Sequence, residues 1–247
     1  MKLVASLILL ISIFASNAER NELSAQRVEF TSSDVADAAE RLTGHRASMT
    51  NEIHLLAGTR LAGPAITLRV VRDERASLTA EGLAAIKVLE DASAGSVVVV
   101  ALDDDKSFAV FGSTFATLAK SRKLAGFVVD GSMRGLPELR RLAFPTFARG
   151  SVPSSAGGHY RLAGVNVPVM CGGIEVSPGD FVVADADGVA VVPKERYQEV
   201  LTKAKSLRRE KQELLPLIAK YRSYTKALRE HTKTVQRRRR NPTRHSR

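Results

Sequence analysis

Tryptophan is absent from this 247-residue chain, cysteine occurs once, and aromatic residues make up only 5% of it. Each scarcity closes off a class of protein. A single cysteine, Cys171, excludes an intrachain disulfide and any zinc site built from several thiolates. Its surroundings, Val169-Met170-Cys171-Gly172-Gly173, are apolar and contain no histidine, so it reads as a small buried hydrophobe. The five histidines, His45, His54, His159, His231 and His245, fall at no metal-ligand spacing. With so few rings, the core has to be built from Val, Leu, Ile and Ala, within a hydrophobic fraction of 44%. That composition suits a sheet flanked by helices and predicts the α/β class.

Long hydrophobic runs are missing as well. The apolar stretch from Leu3 to Phe14 is too short for a membrane span, which needs about 20 residues. Preceded by Lys2 and followed by Ala15-Ser16-Asn17-Ala18 and then Glu19-Arg20, it has the layout of a secretory signal peptide, with cleavage after Ala18. The expectation is a leader over residues 1–18, a linker over 19–30, no membrane span, and a secreted or periplasmic protein. The alternative is an uncleaved anchor or an ordinary buried helix, and a cytoplasmic protein.

Charge is present but unevenly placed. The net charge is +11, yet residues 194–247 hold 18 Lys or Arg against 5 Asp or Glu and so carry +13, leaving −2 for the 193 residues before them. A nucleic-acid signal spread over the fold is therefore excluded, and basicity belongs to a C-terminal arm. Such an arm suits an anionic partner such as nucleic acid, a membrane surface or an acidic protein. The alternative is a solvated helix and tail. Only Tyr197, Tyr221 and Tyr224 interleave the charges, so base stacking is not indicated.

Periodicity supplies the elements. Thr31-Ser32-Ser33-Asp34 caps a helix carrying Val35, Ala38, Ala39 and Leu42 on one face and ending near Gly44. Leu61-Ala62-Gly63-Pro64 reads as a turn into the strand Ala65 to Val71, and Ala80 to Ala92 as a helix. The β-branched run Ser96 to Leu102 predicts a strand covered on both faces, ending at Asp103-Asp104-Asp105. A helix over Ser113 to Lys123 and a strand over Gly126 to Gly131 complete a parallel crossover. Leu136 to Leu142 is a short helix, Pro145 to Ala148 a strand, and Arg149 to Gly158 a Gly- and Ser-rich loop. Val165–Met170, Phe181–Ala184 and Val189–Val192 read as a meander in which Asp180, Asp185 and Asp187 are turn residues. A helical extension over 194–230, kinked or divided at Pro216, and a basic disordered tail over 231–247 follow.

Several blocks of residues, taken together and in order, resemble a known family. They are Asp34-Val35-Ala36-Asp37-Ala38, Leu61-Ala62-Gly63-Pro64-Ala65, Leu124 to Arg134, Phe144 to Gly150, and Gly179 to Val189. Over residues 31–193 the chain resembles the RraA-like proteins, the family of 4-hydroxy-4-methyl-2-oxoglutarate aldolases. The resemblance implies a swivelling β/β/α-type domain assembled as a homo-trimer or hexamer. It further implies a lyase that acts on 2-oxo acids, as aldolase or oxaloacetate decarboxylase, with Mg2+ or Mn2+. The family also contains non-catalytic regulators that bind ribonuclease E, so a scaffold that binds a protein or a small anion is the alternative.

Cleavage beside a 2-oxo acid leaves an enolate, which a divalent cation can hold while an arginine fork clamps a carboxylate. The resemblance assigns the clamp to Arg134, as substrate-binding and catalytic residue. It assigns the substrate loop to Val110-Phe111-Gly112-Ser113, where amides at a helix start can bind an anion. Two positions depart from the pattern. The metal-binding Asp that follows the family's arginine is Gly135 here, and the acidic position of the loop is Ser113. Neither replacement offers the carboxylate that a hard cation prefers. Asp130 and Asp105 are candidate substitutes, as is Glu138, although Asp130 also suits a turn cap and the Asp103–Asp105 triplet a solvated strand end.

Overall fold

The computed structural model describes residues 30–102 and 107–240. The expected leader over 1–18, most of the linker, Asp105, and the last seven residues lie outside them.

The first helix, α1 (Ser32–Thr43), starts in a capping box in which Thr31 and Asp34 satisfy each other's backbone amides, and stops at Gly44 in the left-handed conformation. Its N-terminus is also tied to the far end of the domain, because the Ser32 amide and hydroxyl both donate to the Asp185 carboxylate, at 2.8 and 2.6 Å. Eleven strands follow among the described residues. β1 (His54–Ala57), β2 (Leu61–Arg72), β3 (Val97–Leu102), β4 (Ala109–Phe111), β5 (Gly126–Met133) and β6 (Thr146–Ser151) alternate with α2 (Leu78–Asp91), α3 (Ser113–Ser121) and α4 (Leu136–Leu142). β7 (Tyr160–Val165), β8 (Val169–Cys171), β9 (Ile174–Val176), β10 (Phe181–Asp185) and β11 (Gly188–Val192) complete the sheets.

The main sheet has the order β1-β6-β5-β3-β2-β10-β11, with β4 added to β5 and β7 to β2. Its centre is parallel: β3 pairs with β2 on one side and β5 on the other, and β5 pairs with β6. The continuous apolar run of β3 is explained by this position, since all six of its residues are buried. Side-chain alternation splits them between two cores. Val98, Val100 and Leu102 face α2, α3 and α4, meeting Leu89, Ala116 and Leu139. Val97, Val99 and Ala101 face the opposite way, toward the β8–β9 hairpin and β10, meeting Val169, Cys171 and Val182. Helices, central sheet and smaller β-layer give the β/β/α order that the resemblance implies.

A third core joins the extension to the domain. After a single 3-10 turn at Lys194–Arg196, α5 (Tyr197–Tyr221) lays Tyr197, Val200, Leu201 and Ala204 against α1, Val183 and Val192. Pro216 does not divide this helix. It sits on the exposed side of α5, where water can satisfy the carbonyl of Gln212 that loses its amide donor. The break comes later, at Arg222, whose left-handed backbone closes α5 by donating to Ile218 O at 2.8 Å. A second correction concerns the tail, expected to be disordered from 231. α6 (Tyr224–Arg240) is helical, held on α5 through buried Ala227 and His231.

Two other expectations shift. Leu61 to Pro64 is the first third of β2 rather than a turn, since Pro64 pairs with Phe181 at a position that lets its missing amide go unused. The loop after Arg149 is shorter than its Gly and Ser content suggests, because β6 runs to Ser151 and β7 starts at Tyr160.

Candidate active site

The site grows from the end of β5. Beyond Met133 the chain leaves the sheet at Arg134, whose amide donates to Phe111 O at 3.1 Å and so binds the end of β4 to the end of β5. The side chain then lies along Gly112: a Cβ there would stand 3.0 Å from Arg134 Cγ and 3.6 Å from Nε. Gly112 is thus required by close approach rather than by its dihedrals. It is also the N-cap of α3, with no side chain capping that turn, which leaves the helix's first amides for an incoming acceptor.

Arg134 is exposed, and no described residue gives its guanidinium a hydrogen bond or an ion pair. It lines a cavity of about 190 Å3 together with Val110 and Phe111. The structure therefore brings together Arg134, Val110 and Phe111, with Gly112 packed behind the arginine. Ser113 opens α3 next to Gly135. The sequence reading missed the opposite wall, formed by Leu78, Glu81 and Ala85 of α2 and by Tyr160 and Leu162 of β7. Only the aromatic start of β7 signalled it, and the preceding Gly- and Ser-rich stretch concealed the strand.

The two departures from the family pattern touch each other. Gly135 has φ +69° and caps α4; a Cβ at that position would lie 2.9 Å from Ser113 Oγ and 3.3 Å from its Cβ. Glycine at 135 and serine at 113 thus fill one another's space, and a carboxylate cannot be added at 135 without moving Ser113.

The candidate substitutes do not take over. Asp130 is neither a turn cap nor available to a metal. It is buried within β5, one oxygen is bound by the Arg149 guanidinium of β6, and the other accepts the Gly172 amide at 2.6 Å. Arg149 reaches on to Glu52, so the network runs from buried Asp130 out to an exposed carboxylate. It holds the β8–β9 turn, where Gly172 and Gly173 both have the positive φ that a two-residue hairpin of type I′ needs. Cys171 lies beside it, fully buried; burial first, and then the Asp130 charge, push its thiol well above the ordinary range. Glu138 lies on the surface paired with Arg141 at 2.9 Å, and Asp105 lies outside the described residues. Among the described residues no three His, Cys, Asp or Glu side chains are grouped to hold a metal ion. The described part of the site does not fit a divalent cation held by the chain's own carboxylates.

Asp180, Asp185 and Asp187 mark turns. Asp180 accepts the Ser177 and Lys194 amides at 2.8 and 3.0 Å, and burial raises its carboxyl pKa. Asp185 accepts the Asp187 amide at 3.1 Å.

Comparison with known proteins bears on the family and the fold. The RraA-like family pattern, described as Aldolase/RraA, matches residues 32–191. A Halalkalibacterium halodurans protein provisionally named a 4-hydroxy-4-methyl-2-oxoglutarate aldolase is 37% identical over 172 residues, 69% of this chain and 76% of that one. Among solved structures, Streptomyces coelicolor RraAS2, an unusual member of the RNase ES inhibitor RraA family, aligns with a TM-score of 0.68 and 30% identity, covering 77% of this chain and 94% of that one. A Pseudomonas syringae protein shares the fold at TM-score 0.75 and 24% identity, covering 85% of this chain and 94% of its own. The chain belongs to the RraA-like family.

Proposed function

We propose that this chain binds a small 2-oxo acid in the cavity beside Arg134, with the substrate carboxylate clamped by the guanidinium and a second oxygen turned toward the first amides of α3. The observation that carries this reading is an arginine without a carboxylate partner among the described residues, held by Gly112 at the mouth of a cavity. A planar fork of donors in that setting favours a carboxylate bound through two hydrogen bonds. Calorimetric titration with pyruvate and oxaloacetate tests it: binding that disappears in Arg134→Ala supports the site, and binding unchanged in that variant overturns it.

Carbon–carbon lyase activity on the bound acid is the second reading, supported by the aldolase names of its relatives. A bound Mg2+ or Mn2+ would supply the electron sink for the enolate. The described carboxylates give no account of its ligands, and Asp103 to Asp105 lie outside the described residues, so acid binding is put first. Release of pyruvate from oxaloacetate or 4-hydroxy-4-methyl-2-oxoglutarate by the purified oligomer with saturating Mn2+ would reverse that preference.

Three further proposals complete the reading. Assembly as a homo-trimer or hexamer predicts three or six times the mass of one mature chain by light scattering. Export predicts a mature N-terminus at Glu19, which sequencing of the secreted protein checks. An anionic partner for the arm is supported by α6, where Lys226, Arg229, Lys233 and Arg237 recur at helical spacing and are exposed. That face lies away from Ala227 and His231, which pack on α5. Retention on heparin should fall steeply with salt and weaken when all four are changed to Gln.

A further inference from the structure

The cavity beside Arg134 is apolar where a site for small dicarboxylates would be charged. Its walls are Leu68 and Val70 of β2, Phe111 and Phe115 around the start of α3, and Tyr160 and Leu162 of β7. Phe111 and Phe115 stack at 4.8 Å between centroids with their planes 10° apart, which presents a flat aromatic surface beside the arginine. The other charged residues in the lining do not serve a second carboxylate. Glu81 is itself acidic, and one of its oxygens is fixed by the Leu162 amide at 2.7 Å. Arg161 is held by Asp73 at 3.3 Å. A dicarboxylate would set its second charge against hydrocarbon or beside Glu81, both of which cost free energy, or would have to draw Arg161 away from Asp73.

We infer that the cavity takes a monocarboxylic acid with an apolar, ring-sized tail, the carboxylate on Arg134 and the tail against Phe111, Phe115, Leu68 and Leu162. This rests on the reading of Arg134 as a carboxylate clamp and adds the identity of what the acid carries. The size is adequate: an apolar protein cavity of about 150 Å3 accepts benzene, and this one measures about 190 Å3. Removing a phenyl group from water supplies affinity that pyruvate, with its single methyl, does not gain.

The test is calorimetric titration of the full chain with 3-phenylpropanoate, phenylpyruvate, pyruvate and succinate. The expected result is that both aromatic acids bind at least tenfold more tightly than pyruvate and succinate, and that all binding is lost in Arg134→Ala. Filling the cavity should remove only the preference. Ala85→Phe and Gly82→Phe alter the α2 wall, and a Cβ at Gly82 meets nothing within 4 Å, so the added side chain starts into open space. In either variant the ratio of aromatic-acid to pyruvate affinity should fall toward one, and a ratio that stays tenfold or more in both overturns the inference. If pyruvate or succinate binds through Arg134 as tightly as the aromatic acids do, the inference is overturned and the carboxylate clamp stands. If no acid binds the folded wild-type protein, the clamp and the inference fall together.

Discussion

At the residue scale, single contacts decide what the site can become. Gly63 lies where β2 passes the turn before β3, and a Cβ there would stand 2.0 Å from Gly95 O, a backbone atom that cannot rotate away. Gly63→Ala should therefore destabilise the domain by about 3 kcal/mol, at the upper end of overpacking costs, as read by urea denaturation. Asp130 is buried and bound both by the half-buried Arg149, which also reaches Glu52, and by the Gly172 amide. Asp130→Ala should cost about 1–3 kcal/mol by leaving the Gly172 amide without its acceptor, whereas a metal-ligand role would instead predict lost metal affinity with little loss of stability. Cys171, with its thiol buried and held protonated, should resist iodoacetamide in the native state and react once urea unfolds the chain.

At the element scale, the docking of α6 on α5 turns on one carboxylate. Glu213 of α5 receives Arg238 at 2.9 Å, His231 at 3.1 Å and Arg209 at 3.3 Å. The Arg238 hydrogen bond first, with His231 and Arg209 adding to it, holds the Glu213 carboxyl below the ordinary glutamate range. A carboxyl that titrates lower in the folded chain contributes stability that is complete above the ordinary glutamate pKa and is lost as pH falls through the folded value. Docking of α6 should accordingly be constant near neutrality and loosen in that acidic window. Amide hydrogen exchange along Tyr224–Arg240 measures it, and Glu213→Gln should flatten the pH dependence. The sequence made α5 and the first turns of α6 legible as a polar helix pattern, but not the persistence of α6 beyond residue 230. Its mean composition is polar, and only the tertiary contacts of Ala227 and His231 with α5 decide that it is a helix rather than a solvated tail.

At the scale of the whole molecule, the extension divides into a structural part and an appended part. Removing residues 223–247 takes away few buried side chains and should leave a single cooperative thermal transition within a few degrees of the full chain. Removing residues 194–247 strips Tyr197, Val200, Leu201 and Ala204 from the β10–β11 face. Each large apolar side chain is worth about 1.5–3 kcal/mol when fully buried, so that truncation should yield an aggregating or unfolded product, as light scattering would show. Much of the central sheet was readable because β3 and β5 are buried on both faces and announce themselves as unbroken β-branched runs. β1, β4 and β7 were not, being short or flanked by Gly and Ser, with places set by partners distant in the chain. The site divides in the same way. Arg134 and its loop are local in sequence, whereas the α2 and β7 wall that gives the cavity its apolar character comes together only in three dimensions.

The contact between Gly135 and Ser113 also bears on the mutational routes open to this protein. A carboxylate at 135 needs a left-handed backbone, a strain of about 1–2 kcal/mol for a residue with a Cβ, and space that Ser113 Oγ occupies. Gly135→Asp should therefore be better tolerated once Ser113 is changed to Ala, so the two substitutions should be non-additive. The pair is coupled: which side chain position 135 can carry depends on the one that stands at 113.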